Sequence, residues 1–424
     1  MTYKKIMNIA LPAMAENFLQ MLMGMVDSYL VASLGLIAIS GVSVAGNIIT
    51  IYQAIFIALG AAISSLISKS LAQGDKERLA YHTAEAIKLT LLLSAFLGLL
   101  SLLFGRQMLD LLGTEKAVAD AGGLYLALVG GTIVLLGLMT SFGALVRVTR
   151  NPRFPMYVSL LTNVLNALFS ALGIYVFRLG VVGVALGTVL ARLVGVLILW
   201  RELDLSTIRW RWGLDRELLR LSLPAAGERL MMRAGDVVII AIVVVFGTDA
   251  VAGNAIGEVL TQFNYMPAFG VATATVMLVA HAVGEGDMQA VGLIRQRAFW
   301  LSFACMLPLA LGIFALGRPL TLLYTDNSGA ITASLSVILF SLLGTPMAVG
   351  TVIYTAVWQG LGNARLPFYA TTIGMWLIRI VSGYLLGVTL GLGLPGVWAG
   401  TLLDNGFRWL FLKVLFDRKM REIA

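Results

Sequence analysis

Apolar residues run along this chain in long blocks separated by short polar breaks, without the sustained alternation that marks β-strands. About 20 apolar residues in a helix cross the roughly 30 Å hydrocarbon core of a bilayer. The blocks predict twelve such helices, over residues 6–32, 48–67, 87–104, 124–145, 156–177, 181–200, 221–246, 256–280, 299–316, 333–358, 368–390 and 393–415. The first block is too long for a signal-peptide core, carries Glu16 and Asp27 and lacks a clear small-residue cleavage site, so it is expected to stay in the mature chain. The expected fold class is an all-α membrane protein of twelve transmembrane helices.

The polar breaks repeat. Leu11-Pro12-Ala13 with Glu16 returns 212 positions later as Leu223-Pro224-Ala225 with Glu228. Gly35, Ala38 and Gly41 match Gly247, Ala250 and Gly253, Gly74-Asp75 matches Gly286-Asp287, and Asn151, Arg153 and Pro155 match Asn363, Arg365 and Pro367, all in that register. After one inserted residue, Gly183, Gly187 and Thr188 match Gly396, Gly400 and Thr401 at an offset of 213. A register held through five separated motifs indicates duplication. Six helices per copy is an even number, so both copies enter from the same side as parallel repeats. The expected organisation is a pseudo-symmetric pair of six-helix bundles, 1–200 and 221–424, joined by a cytoplasmic linker at 201–220, with rocking of one bundle against the other giving alternating access.

Composition agrees. Of 424 residues 59% are hydrophobic and 12% charged, against about 25% charged in soluble domains, too few to cover a water-exposed surface. The single cysteine, Cys305, has no partner for an intramolecular disulfide and sits in an apolar run as a packing residue. The net charge of +8 comes from loop cations on one side: Lys4 and Lys5, Lys76 and Arg78, Arg147, Arg150 and Arg153, Arg201 to Arg220, Arg295 and Arg297, Arg365, and Lys413 to Arg421. The positive-inside rule then puts both termini in the cytoplasm of a multi-pass inner-membrane protein. That bias accounts for the charge without a nucleic-acid partner, and no soluble domain is left to carry a DNA-binding patch.

Together, Pro12 and Asp27 fifteen residues apart, the loop from Leu34-Gly35 through Gly41, the Gly-Asp loops, Asn-Pro-Arg-Phe-Pro from Asn151, and Gly183 with Gly187-Thr188 resemble the multidrug and toxic compound extrusion (MATE) transporters, in the branch related to damage-inducible bacterial members. The resemblance spans nearly the whole chain. It implies a secondary antiporter, not an enzyme, that exports cationic or amphiphilic organic compounds in exchange for H⁺ or Na⁺, without a cofactor. A monomer in the lipid bilayer is expected. The alternative is a flippase for lipid-linked saccharides, which a strongly cationic cavity would favour. A membrane-embedded enzyme is disfavoured, because the chain has no His pair at metal spacing, no Gly-x-Ser-x-Gly elbow and no phosphate-binding Gly-rich loop.

An ionisable residue inside a membrane helix is costly and marks function by default, with a paired structural charge as the standing alternative. In helix one Glu16, Gln20 and Asp27 share a face; Met14, Phe18, Met21 and Met25 form another, suited either to an adaptable drug surface or to packing. Asp27 is the first choice for coupling, against a fixed hydrogen-bond acceptor, and Glu16 has a solvated or capping role as its alternative. Asn163, Asn166 and Ser170 recur at helical spacing in helix five, and Thr188 and Arg192 one turn apart in helix six. In MATE relatives with a cation site in the N-terminal bundle, the corresponding set is an Asp, an Asn and Asp four apart, and a Thr. It maps here onto Asp27, Asn166, Ser170 and Thr188, so the second carboxylate is missing. H⁺ is therefore the favoured coupling ion, with Na⁺ possible at Asp27 and Arg192 able to take the electrostatic role of the ion.

In helix seven Arg233 and Asp236 are expected to pair, and Glu228 resembles the acid that MATE transporters carry there. It is expected to couple transport from the cavity, by binding a cationic substrate or taking up protons, with a role as buried polar partner for Arg229 or a neighbouring helix as the alternative. Asp27 and Glu228 are thus the acids to test first, one per bundle. Gln262, Asn264 and Tyr265 either line the substrate cavity or bond between helices. Glu258 is a further acid to test, helix ten has no carboxylate, and Asp404 and Arg408 form a structural pair by their spacing of four. His82 and His281 read as loop or interface residues.

Overall fold

The computed structural model describes residues 2–206 and 208–423, and within these all regular secondary structure is helical, with no strand. The twelve spans are α1 (Tyr3–Ala32), α2 (Leu36–Ala72), α3 (Lys76–Leu111), α4 (Lys116–Gly130 and Val134–Thr149), α5 (Phe154–Val176), α6 (Val181–Arg201), α7 (Arg216–Val244), α8 (Thr248–Glu285), α9 (Met288–Ala315), α10 (Ser328–Leu343 and Thr345–Gly360), α11 (Arg365–Thr389) and α12 (Leu394–Ile423). Each predicted helix has its counterpart, but α2, α3, α4, α8 and α9 start earlier than the apolar blocks suggest, at Leu36, Lys76, Lys116, Thr248 and Met288. Small and polar positions such as Gly41, Ser43 and Asn47 end an apolar run without ending the hydrogen-bond ladder, which a membrane helix must keep closed. A six-residue helix, Gly317–Leu322, lies between α9 and α10.

Two spans expected as single helices are broken. The halves of α4 meet at 43° after a π-helical turn at Leu126–Gly130, and those of α10 at 58°. In α10 the break is at Gly344, followed by Pro346, whose ring cannot continue a preceding helix without a kink.

The duplication is written into the backbone. Gly35 and Gly247 take φ of +106° and +99° ahead of α2 and α8, where a Cβ would be strained. Asp75 and Asp287 cap α3 and α9 in the same way, each accepting from a backbone N–H three residues on at 2.9 Å. The last turns of α5 and α11, Leu172–Val176 and Leu385–Thr389, are both π-helical. In each copy the fifth and sixth helices touch through backbone: a Cβ on Gly187 would lie 2.6 Å from the Ser170 nitrogen, and one on Gly400 2.8 Å from the Gly383 nitrogen.

The chain divides into two compact units, Met1–Met14 with Leu223–Ala424, and Ala15–Ser222. The stretch 201–220 thus belongs to the N-terminal unit, apart from Thr207, which lies outside the described residues. The cause is a set of contacts from one face of α3. Lys88 Nζ donates to the carbonyls of Arg211 at 2.9 Å and Gly213 at 2.6 Å. Glu85 Oε2 accepts from the Asp215 backbone N–H at 3.0 Å, and His82 Nδ1 lies 2.9 Å from Asp215 Oδ2. His82 is a buried residue of α3, not a loop residue.

Candidate functional site

In the unit 15–222, Asp27 from α1 faces α5. Asn166 Nδ2 donates to Asp27 Oδ1 at 2.8 Å, and the Asn166 Oδ1 accepts from the Ser170 hydroxyl at 3.4 Å. Both ends of the amide are thereby oriented, since a flipped Asn166 would set its carbonyl oxygen against the carboxylate. Asn166, Ser170 and Thr188 are buried. They come together because the glycine-lined crossing of α5 and α6 lets the two backbones approach within reach of short polar side chains. Thr188 bonds the Val184 carbonyl of its own helix at 3.2 Å and reaches the cluster through the Tyr125 hydroxyl. Arg192 completes the set, near enough to Tyr125 and Asp27 to act on them electrostatically but without an ion pair to Asp27 within 4.0 Å, and its Nη1 is buried and unbonded. Tyr125, just before the π-helical turn in the first half of α4, has no signal in the sequence: a tyrosine in an apolar run reads as packing.

Elsewhere on α1 the expected polar face divides. Glu16 is paired with Arg147 of α4, Arg147 Nη2 donating to Glu16 Oε2 at 2.6 Å, which replaces the solvated or capping role. Gln20 is exposed and accepts from Gln53 at 3.3 Å. Met21 is half-buried and Met25 exposed.

The C-terminal unit holds a larger charged network. Glu228 is buried, accepts from the Thr371 hydroxyl at 3.1 Å, and faces Arg229 and Arg408. Asp404 has no solvent exposure. It accepts from Arg408 Nε at 2.6 Å and from Arg408 Nη2, and Arg379 Nε lies 2.7 Å away as a second ion-pair partner. Arg379 also reaches Asp236, at 4.0 Å, ahead of the Arg233 expected for it. The i, i+3 argument considered one helix only, whereas the long side chain of Arg379 arrives from α11. Asn264 donates to Ser341 at 3.3 Å, and its carbonyl oxygen is buried and unbonded. Gln262 is exposed, while Tyr265 stacks on Phe269 at 6.3 Å and faces Arg379 and Arg408. Glu258 accepts from Asn254 at 3.3 Å, and Asn254 in turn accepts from Trp398 at 2.9 Å.

Chemically, the Asp27 cluster is arranged to hydrogen-bond one carboxylate. A hard cation such as Na⁺ seeks several oxygens and charge compensation, but Asn166 presents its N–H₂ to Asp27, the α5 mate is the neutral Ser170, and a guanidinium is already at hand. Among the described residues no group of three His, Cys, Asp or Glu side chains is placed to hold a metal ion.

Comparison with known proteins agrees with this architecture. A probable multidrug resistance protein NorM of Thermotoga maritima is 29% identical, over 97% of this chain and 91% of the relative. The uncharacterized transporter YisQ of Bacillus subtilis is 23% identical over 95% and 91%. The solved outward-facing structure of a multidrug resistance MATE family transporter superposes with a TM-score of 0.92 at 20% identity, covering all of this chain and 96% of the other, and supports the fold. The MatE family model matches residues 12–172 and 224–385, one copy on each half of the duplication. The chain therefore belongs to the MatE family of membrane transporters.

Proposed function

We propose that this protein is a proton-coupled exporter of cationic or amphiphilic organic compounds, working by alternating access as a monomer in the inner membrane with both termini cytoplasmic. The observation that carries the coupling is the Asp27 cluster: one half-buried carboxylate, held by Asn166 with Ser170 behind it and faced by Arg192. A proton neutralises such a group without further ligands, whereas Na⁺ would have to displace the Asn166 N–H₂ from Asp27 and share the site with the nearby Arg192 guanidinium. Asn166, with Ser170 behind its carbonyl oxygen, orients the acid. Glu228, which the sequence also offers for coupling, is bonded to Thr371 at 3.1 Å and lies near Arg229 and Arg408, and in this scheme it has a structural role. The exposed Gln20 and half-buried Met21, and in the C-terminal unit Gln262 and Tyr265, are the side chains assigned to substrate contact. The multidrug names of relatives such as NorM support the substrate class.

The test is efflux of an organic cation from proteoliposomes under H⁺ and Na⁺ gradients imposed separately. A proton gradient alone should drive efflux in the native protein, and Asp27→Asn should abolish that drive while leaving substrate binding intact. Strict dependence on Na⁺, or unchanged proton-driven flux in Asp27→Asn, would overturn the proposal.

A further inference from the structure

The two halves are copies, yet the coupling cluster described above is found in the first half only. The repeat register shows what stands in its place. Between Pro155/Pro367 and Gly183/Gly396 the offset grows from 212 to 213, so the second copy holds one extra residue in α11. α5 has a single π-helical segment, Leu172–Val176, and α11 has that segment at Leu385–Thr389 plus another at Ile373–Arg379. A π-turn is an α-helix with one residue inserted, so Ile373–Arg379 is where the extra residue is absorbed. Beyond it the register is already 213, because Ser170 against Gly187 corresponds to Gly383 against Gly400 in both sequence and contact. In that register the mate of Asn166 is Arg379.

In the first copy the α5 residue donates to a carboxylate of α1, Asn166 to Asp27 at 2.8 Å. In the second, its mate faces a carboxylate of α7, Arg379 to Asp236 at 4.0 Å, while pairing with Asp404 of α12 at 2.7 Å. Asp236 lies one turn before Ile239, the sequence mate of Asp27. The neutral amide of one copy is thus an ion-pairing cation in the other; the cation nearest Asp27 in the first copy, Arg192, forms no ion pair with it within 4.0 Å, whereas Arg379 reaches Asp236. Every charged group around Asp236 fits that account: Arg379, Arg233 and Arg408 supply positive charge, with Asp404 and Glu258 as the neighbouring acids.

We infer that Arg379 is a built-in counter-cation occupying, in the C-terminal unit, the charge position that the coupling proton takes at Asp27, so that the duplicated protein carries one coupling site and not two. Arg379 is a specificity-determining residue for coupling stoichiometry. It acts on Asp236 through space and touches no substrate. The inference rests on the assignment of proton coupling to Asp27, but its readout separates from it.

The experiment measures protons released per tetraphenylphosphonium bound, by purified full-length protein in weakly buffered detergent. Arg379→Lys, which keeps the charge, should release as many protons as the native protein. Arg379→Asn, which restores the amide of the first copy, should release one more, and Arg379→Asn with Asp236→Asn should return to the native value. Asp27→Asn should remove the native release and leave the extra one of Arg379→Asn. If Asp27→Asn changes nothing, the assignment of Asp27 fails by itself, whereas a monodisperse Arg379→Asn that releases no more than the native protein overturns the inference about Arg379. A second measurement needs no variant. A hydrophobic carbodiimide labels protonated carboxyls within membranes, and peptide mapping of the native protein should find the label on Asp27 and not on Asp236. Label on Asp236 would overturn the inference even if every Arg379 variant misfolds.

Discussion

Replacing Asp404 by Asn keeps the shape of the side chain and removes its charge from a fully buried position between two guanidiniums. Arg408 and Arg379 would then lose their shared carboxylate, leaving Asp236 at 4.0 Å from Arg379 and Glu228 near Arg408 as the remaining acids. Gly374 packs directly against Asp404 and Arg408, so the site has no room to spread and relieve the repulsion between the two guanidiniums. Breaking a buried ion pair by removing one partner costs about 3–5 kcal/mol, against a total stability of about 5–15 kcal/mol for a typical domain. For a unit of this size each kcal/mol corresponds to about 2–4 °C, so a loss of roughly 6–20 °C is expected in thermal melting of the detergent-purified protein. The triple variant Asp404→Leu, Arg379→Met, Arg408→Met removes Asp404 together with both of its ion-pair partners and should recover most of that loss, because replacing a whole buried pair by apolar groups is close to neutral. An Asp404→Asn protein that melts within a degree or two of the native one would refute the reasoning, as would a triple variant less stable than the single.

Three further outcomes follow from the geometry. Glu16→Gln and Arg147→Gln each break the 2.6 Å pair between α1 and α4, and each should lower the melting temperature while leaving proton-driven efflux intact; equal loss of coupling in both would place Glu16 in the coupling machinery. Gly187→Ala forces a methyl against the Ser170 backbone, where a Cβ would sit 2.6 Å from nitrogen, and should cost about 1–3 kcal/mol by overpacking along with part of the coupled flux, since Ser170 backs Asn166; native melting and flux would show that the crossing yields. Asp75→Ala and Asp287→Ala each remove a helix cap, and each should cost about 1 kcal/mol, read as faster hydrogen exchange confined to the first turn of α3 or α9. Exchange spread over the whole helix would contradict a local cap.

The sequence by itself determined the class, the number of spans and the duplication. Those properties depend on local hydrophobicity and on register along the chain, as the recurrence of Leu11-Pro12-Ala13 at Leu223 shows. It also singled out Asp27, because a charge in an apolar helix stands out, and Asn163, Asn166 and Ser170 by their helical spacing, among which the resemblance to MATE transporters selects Asn166 and Ser170. Which partner each charge meets was decided only by the tertiary structure. Glu16 pairs with Arg147 across 131 positions, Asp236 faces Arg379 from another helix in preference to Arg233 on its own, and Tyr125 joins Thr188 and Arg192 from a span that reads as plain packing. A long arginine side chain reaches across helix–helix gaps that no spacing rule along one helix describes. The π-turn at Ile373–Arg379 is the sharpest case: in the sequence it is an offset that changes from 212 to 213, and only the fold shows that the extra residue is absorbed in the segment that ends on Arg379, the residue set between two acids.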